Sequence, residues 1–161
     1  MTLVTDPSFR KDCLRQGFRS GSFAALAMIP FGLIFFALGL RVNEYGMAVI
    51  QTFFGDLPAG VRFLLFAVEH FLISWTVAFP LLCAFLWLRG RVPALWLGIA
   101  YGLAFYVVMN SLLLPLLFGD PTPWQLGFEV IYPSLIVHVV YGVVIWWVSQ
   151  RFVQRYAASR A

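Results

Sequence analysis

The chain has 161 residues, of which 61% are hydrophobic and 11% are charged. A water-soluble domain needs far more polar surface to stay dissolved, so the composition excludes that class and predicts a polytopic membrane protein. The net charge of +4 does not indicate a nucleic-acid partner, because the basic residues are gathered beside the ends of apolar stretches.

Four apolar stretches are long enough to cross a bilayer, whose hydrocarbon core of ~30 Å requires about 20 residues of helix. They cover residues 18–40, 62–88, 94–118 and 130–149. Each backbone polar group in lipid must bond within its own segment, so all four stretches are predicted to be helices. We therefore expect an all-α fold, a four-transmembrane-helix bundle that forms one integral membrane domain over residues 1–161.

Positive charges indicate the orientation of these spans. They precede the first span, occupy the tight turn between the second and third, and follow the fourth: Arg10, Lys11, Arg15, Arg19, Arg89, Arg91, Arg151, Arg155 and Arg160. Among basic residues the two other loops hold only Arg41 and Arg62. Because Lys and Arg are enriched in cytoplasmic loops, both termini are predicted to be cytoplasmic.

Small residues recur along the first span, where Gly17, Gly21 and Ala25 are spaced at intervals of four. This spacing places them on one helix face and lets a neighbouring helix approach closely. Pro30 removes one backbone hydrogen bond in the middle of the span, so a kink is expected there.

The first outer loop contains the run 47-MAVIQTFF-54. It is too apolar for a free loop and too short to cross the bilayer, so we expect an interfacial helix or a segment that dips back over the bundle. The second span ends at 89-RGR-91 and Pro93 opens the third. These two spans are therefore predicted to form an antiparallel hairpin.

Glycines also mark the contact surfaces of the last two spans. Gly98 and Gly102 form a GxxxG pattern, which in an apolar helix favours close packing within the bundle. In the fourth span Gly142 shares a face with His138 and Tyr141, because they are three or four residues apart. Both faces are predicted to line the core.

Polar side chains of three spans lie at a similar predicted depth. At 1.5 Å per residue, the positions in spans two, three and four are all roughly 10–12 Å below the outer end of their helix. We expect them to form one polar layer facing the interior: Glu69, His70, Asn110, Ser111, His138 and Tyr141. A carboxylate in lipid is costly unless it is paired or protonated, so Glu69 is predicted to lie near a histidine or Asn110.

The residues alone leave several interpretations of this layer open. One interpretation is a hydrogen-bonded network that only fixes helix register. A second is a Glu–His–His group that responds to external acidity. A third is a polar passage for an ion or ligand. A b-type haem between His70 and His138 is a further alternative, since the two come from different helices. A zinc ion held by the same histidines and Glu69 is the weakest of these readings.

Nothing in the sequence indicates an enzyme. No nucleotide-binding loop, GxSxG, HExxH or CxxC motif occurs, and no resident cofactor is predicted. Cys13 precedes the first span and Cys83 lies within the second. They are expected not to meet, and no disulfide is predicted in a reducing cytosol.

Several stretches resemble one family of small membrane proteins. They are 69-EHFLISWTVAF-79, 91-RVPALWLGIAYGLAF-105, 109-MNSLLLPLLFGDPTPW-124 and 134-SLIVHVVYGVVIWW-147. Together they resemble the YagU-like inner-membrane proteins over about two-thirds of the chain. By position His70 and His138 match the family's histidines, whereas Asn110 stands where the family places another. The resemblance implies a multi-pass protein of the bacterial inner membrane, with a link to acid tolerance.

The sequence thus predicts a small non-enzymatic membrane protein, either related to acid stress or an accessory subunit of a membrane complex. Its partners are expected to be the lipid bilayer and either further copies of itself or a larger membrane protein, without nucleic acid. The alternatives are a small proton or solute transporter or channel, and a haem b-binding electron-transfer subunit.

Overall fold

A computed structural model describes residues 7–40, 42, 45–88 and 92–158. All regular structure within these ranges is helical, and they contain no strand. The predicted turn at 89–91, together with Arg41 and Arg160, lies outside the described residues. The all-α class is therefore confirmed for the described part of the chain.

Four helical segments are long and apolar enough to cross a membrane. They are α1 (Pro7–Ala37), α3 (Ala59–Trp87), the continuous helix Ala94–Phe118 and α7 (Phe128–Ala158). The third of these consists of α4 (Ala94–Phe105), a π-helical segment (Tyr106–Leu113) and α5 (Leu114–Phe118). The prediction of four spans is confirmed, and α1 starts well before residue 18, so that its basic residues are helical.

Two short helices lie in the connections on the opposite end of the bundle from the start of α1. The predicted apolar helix of the first outer loop is α2 (Tyr45–Phe54), which packs on α3. The Tyr45 ring stacks on Phe118, with 6.0 Å between ring centroids. α2 therefore bridges the second and third spans. The other short helix, α6 (Pro123–Leu126), precedes α7.

The fourth span is the centre of the bundle. α7 packs against α1, α3 and α4, and 44% of the residues in its most apolar stretch are buried, compared with 28% in each of the other spans. The core contains residues from α1, α3 and α7: Ala24, Ala78, Leu81, Phe85, Tyr141 and Ile145. The predicted hairpin of α3 and α4 contributes less, because α4 packs mainly on α7 and α3 mainly on α1.

The ends of α1 and α7 meet at one end of the bundle. The Tyr156 hydroxyl donates to Asp12 Oδ2 at 2.6 Å, and the Gln16 amide donates to the Val148 carbonyl at 3.2 Å. The Phe9 ring lies edge-on to Tyr156. The first turns of α1 and the last turns of α7 therefore lie on the same side of the bundle.

Glycines let two pairs of helices touch through their backbones. A Cβ atom on Gly98 would lie 2.7 Å from the Gly142 carbonyl oxygen, and a Cβ atom on Gly102 would overlap the carbonyl oxygen of His138. Between α1 and α3, a Cβ atom on Gly21 would lie 3.0 Å from the Ser74 carbonyl oxygen. Close approach of this kind is what small residues permit in membrane bundles.

The antiparallel register of α1 and α3 also brings the two cysteines to the same contact. Gly21 faces Trp75, and four residues further along each helix Gly17 faces Phe79. One more step of four leads to Cys13 on α1 and Cys83 on α3. Both cysteines are free, and the expectation that they do not meet stays a prediction.

Candidate functional site

The centre of the predicted polar layer is a hydrogen bond between the third and fourth spans. The Asn110 amide nitrogen lies 3.3 Å from His138 Nε2, and His138 Nδ1 lies 2.6 Å from the Ser134 carbonyl oxygen. A carbonyl oxygen only accepts, so Nδ1 carries the ring hydrogen and Nε2 accepts from the amide. Both side chains are buried, with 7% and 9% of their surfaces exposed.

The π-helical segment turns Asn110 towards this histidine. Its bonds run from residue i to i+5, as in the bond from the Leu114 N–H to the Met109 carbonyl. Pro115 follows directly and has no N–H, so it cannot continue the α-helical ladder. π-Helical turns are rare and occur frequently at functional sites. Here the change of register buries Tyr106, Asn110 and Ser111 together.

Aromatic rings enclose the His138 imidazole. Phe105 stacks on it and Tyr106 is tilted against it, each with 5.7 Å between ring centroids. The buried hydroxyls of Tyr106 and Ser111 have no hydrogen-bond partner among the described residues. The imidazole thus lies in a mostly apolar setting with few polar side chains around it.

A second set of polar contacts links α7 to α3 and then to α1. The Tyr141 hydroxyl donates to the Ser74 carbonyl at 2.6 Å, and the Ser74 hydroxyl donates to the Gly21 carbonyl at 2.8 Å. The Tyr101 hydroxyl of α4 donates to the Val77 carbonyl at 2.8 Å. Two tyrosine hydroxyls, from α4 and α7, thus bond backbone carbonyls within one turn of α3.

His70 belongs to the contact of α3 with α1. Its Nε2 lies 3.2 Å from the Ala25 carbonyl oxygen, and its ring stacks on Phe66. One turn further along, the Trp75 indole donates to the Ser22 hydroxyl at 2.9 Å. The histidine predicted to join the central layer is therefore directed to the first span instead.

Glu69 faces a third direction, towards α2. A Cβ atom on Gly46 would overlap its carboxylate oxygen Oε2, so the carboxylate occupies the space that this glycine leaves free. Within the described ranges Glu69 forms no hydrogen bond and no ion pair, although its residue is partly buried. A carboxylate in a membrane helix without a partner is unusual, because desolvation of its charge is costly.

The structure thus divides the predicted layer into separate contacts. Asn110 and His138 lie together, whereas no hydrogen bond or ring contact connects Glu69 or His70 to His138 in the described part of the chain. Residues adjacent on one helix point about 100° apart, so Glu69 and His70 cannot face one partner equally. The polar side chains were predicted at similar depths along their helices, but they do not all point towards one common site.

This division also bears on the metal and haem alternatives. Among the described residues no group of three His, Cys, Asp or Glu side chains is placed to hold a metal ion. A metal or haem ligand needs a free imidazole lone pair. That of His138 Nε2 already faces the Asn110 amide, and His70 lies against α1. The two histidines are therefore not arranged as a pair of axial ligands.

Several functional contacts were not predicted from the sequence. The sequence analysis did not single out Tyr101, Tyr106 or Gly46. No signal in the sequence marks Tyr101 as a donor to the α3 backbone. None existed for Gly46, since only the fold shows that Glu69 lies against it.

The sequence matches no family model, no curated protein and no solved structure. A functional conclusion therefore depends on the contacts described above.

Proposed function

We propose that the chain is a multi-pass protein of the bacterial inner membrane, with both termini in the cytoplasm and no enzymatic activity. Its role is that of an accessory subunit in a membrane complex, one that is related to acid or other stress. The distribution of Lys and Arg supports the orientation, and the resemblance to YagU-like proteins supports the membrane and the stress link.

One observation carries the structural part of this proposal. Several polar side chains of the spans bond to the backbone of a neighbouring helix, as Tyr141, Ser74 and Tyr101 do. A catalytic or transport site would instead gather such groups around an open cavity. Bonds between helices fix their register, which is the use expected of polar residues in an accessory protein.

The accessory role also agrees with the outer surface of the bundle. Large apolar side chains cover the faces of the spans that point away from the core, for example Phe36 with 80% and Leu116 with 75% of its surface exposed. Self-association or binding to another membrane protein would therefore take place within the bilayer.

Purification in mild detergent tests this role. We expect native mass spectrometry to detect a complex heavier than the 18.2 kDa chain, either a homo-oligomer or an assembly with another membrane protein. Cross-linking in intact membranes should yield the same assembly. A lone chain in both experiments would contradict the accessory role, and a C-terminal reporter active only outside the cytoplasm would contradict the orientation.

A small proton or cation transporter is a second candidate, favoured by the carboxylate of Glu69, which has no bonding partner among the described residues. A group of this kind binds a proton or a cation when it is covered by protein, and releases it when it is opened to water. α2 covers Glu69, so a movement of this short helix would change its access to the outer side.

Proton flux into proteoliposomes tests the second candidate. We expect Glu69→Gln to abolish flux, because glutamine keeps the shape and cannot exchange the proton. Glu129→Gln is the matched control, since Glu129 is exposed in the first turn of α7. Equal flux in the wild type and Glu69→Gln, or no flux in the wild type, would remove this candidate.

A further inference from the structure

Cys13 and Cys83 occupy facing positions on α1 and α3. The contact of Gly21 with Trp75 and that of Gly17 with Phe79 define an antiparallel register in steps of four residues. Four residues correspond to about one helical turn, so the next step in the same direction pairs Cys13 with Cys83.

Other contacts hold the backbone of α1 in place near this pair. Asp12 accepts a hydrogen bond from Tyr156, and Gln16 donates one to the Val148 carbonyl. On the other side of the pair, the Phe79 ring fills the space above Gly17. Cys13 therefore lies on a stretch of α1 that bonds to α7 and packs on α3.

Both cysteines are free. Cys83 is exposed and Cys13 is partly exposed. Cys13 also lies among Arg10, Lys11 and Arg15, charges that belong at the headgroup level rather than in the hydrocarbon core. The pair is therefore placed near the membrane surface, where water and dissolved oxidants have access.

We propose that Cys13 and Cys83 are an oxidant-sensitive dithiol that closes into a disulfide linking α1 to α3. The oxidant is of the hydroperoxide class. One thiolate attacks the peroxide oxygen to form a sulfenic acid and releases water or alcohol; the second thiolate attacks the sulfenic sulfur and releases water. The two thiols lose two electrons and two protons, and the peroxide O–O bond is reduced. A thiol reductant restores the open form.

This inference does not depend on the proposed accessory or transport role. A disulfide between residues 13 and 83 would fix the start of α1 on α3 and close a long loop that includes α2. Closure of a long loop restricts the unfolded chain and stabilises the folded one. The covalent link would therefore report oxidative conditions as a change in the stability of the bundle.

Oxidation of the purified, fully reduced protein by hydrogen peroxide tests the proposal. We expect intact-mass analysis to show the loss of two hydrogen atoms, and peptide mapping to identify a Cys13–Cys83 link. Maleimide labelling of both cysteines should fall in parallel and return after reduction. The melting temperature should rise by roughly 5–10 °C on oxidation, and dibromobimane, a short bifunctional thiol reagent, should link the reduced pair without any oxidant.

The matched control is a variant in which the thiol of α3 is placed one residue further along the helix. In Cys83→Ser combined with Ala84→Cys, the thiol is turned by about 100° from the α1 contact, and disulfide formation should be roughly tenfold slower or absent. Equal rates in both proteins, a disulfide between two chains, or over-oxidation of both cysteines without a linked peptide would each overturn the proposal. Circular dichroism confirms that both proteins are folded before the comparison.

Discussion

Gly98 and Gly142 face each other across α4 and α7 so closely that their backbones touch. A Cβ atom on Gly98 would lie 2.7 Å from the Gly142 carbonyl oxygen, and one on Gly142 would overlap the carbonyl oxygen of Gly98. The atoms that would collide belong to the backbones of two long helices, so no side-chain rotation relieves the overlap. The crossing of the third and fourth spans therefore depends on the absence of side chains at these positions.

Gly142→Ala is expected to destabilise the bundle. Alanine improves helix propensity by up to about 1 kcal/mol, but overpacking of a tight contact costs about 1–3 kcal/mol, and here backbone has to move. We expect a net loss of about 1–2 kcal/mol, measured as thermal or denaturant unfolding in detergent. Gly32→Ala is the control, because a Cβ atom at Gly32 meets nothing within 4 Å and should be neutral or stabilising. Equal effects of the two changes would contradict the contact.

Gly46→Ala is expected to have a smaller effect on stability than Gly142→Ala. The atom that a Cβ at Gly46 would overlap is the far end of the Glu69 side chain, which can rotate away. We expect Gly46→Ala to cost at most about 1 kcal/mol and to become neutral or stabilising when Glu69 is also changed to alanine. A double-mutant cycle of unfolding free energies measures this coupling. Additive effects would show that the carboxylate does not lie against α2.

The architecture was predictable because a bilayer restricts the choices so strongly. Length and hydropathy alone define four spans, and the structure contains helices at each of them. The apolar run in the first outer loop was also recognisable, and it forms α2. Helix ends were less predictable: the basic stretch before the first span carries no apolar signal, yet it is helical because contacts with α7 such as Asp12–Tyr156 support it.

The depth of each polar side chain along its span was predictable from the sequence. The direction in which the side chain points was not. Counting residues along each span placed Asn110 and His138 at the same level, and they do lie together. The same count could not reveal that α3 turns His70 towards α1 and Glu69 towards α2. Direction depends on the rotation of each helix, which is set by its neighbours, and the π-helical register around Asn110 has no marker in the sequence beyond Pro115.

Tyr141→Phe tests whether the bond from α7 to α3 supports the bundle. The change removes the hydroxyl that donates to the Ser74 carbonyl and leaves the buried ring in place. We expect a loss of about 0.5–1.5 kcal/mol in the free energy of unfolding. Tyr132→Phe is the matched control, because the Tyr132 ring packs edge-on against Phe35 and the change keeps that packing. A loss for Tyr132→Phe as large as that for Tyr141→Phe would argue against a specific bond.

The Asn110–His138 pair is expected to show coupling in a double-mutant cycle. Asn110→Ala removes the donor to His138 Nε2, and His138→Phe removes the acceptor while keeping an aromatic ring among Phe105 and Tyr106. Bonds between membrane helices are worth about 0.6 kcal/mol on average, so we expect a coupling energy of about 0.5–1.5 kcal/mol, with each single change more costly because it leaves a buried polar group unpaired. Glu69→Gln combined with His138→Phe is the control cycle, and it should be additive because no contact joins the two residues. Strong coupling in that cycle, or none between Asn110 and His138, would show that the layer is arranged as one cluster after all.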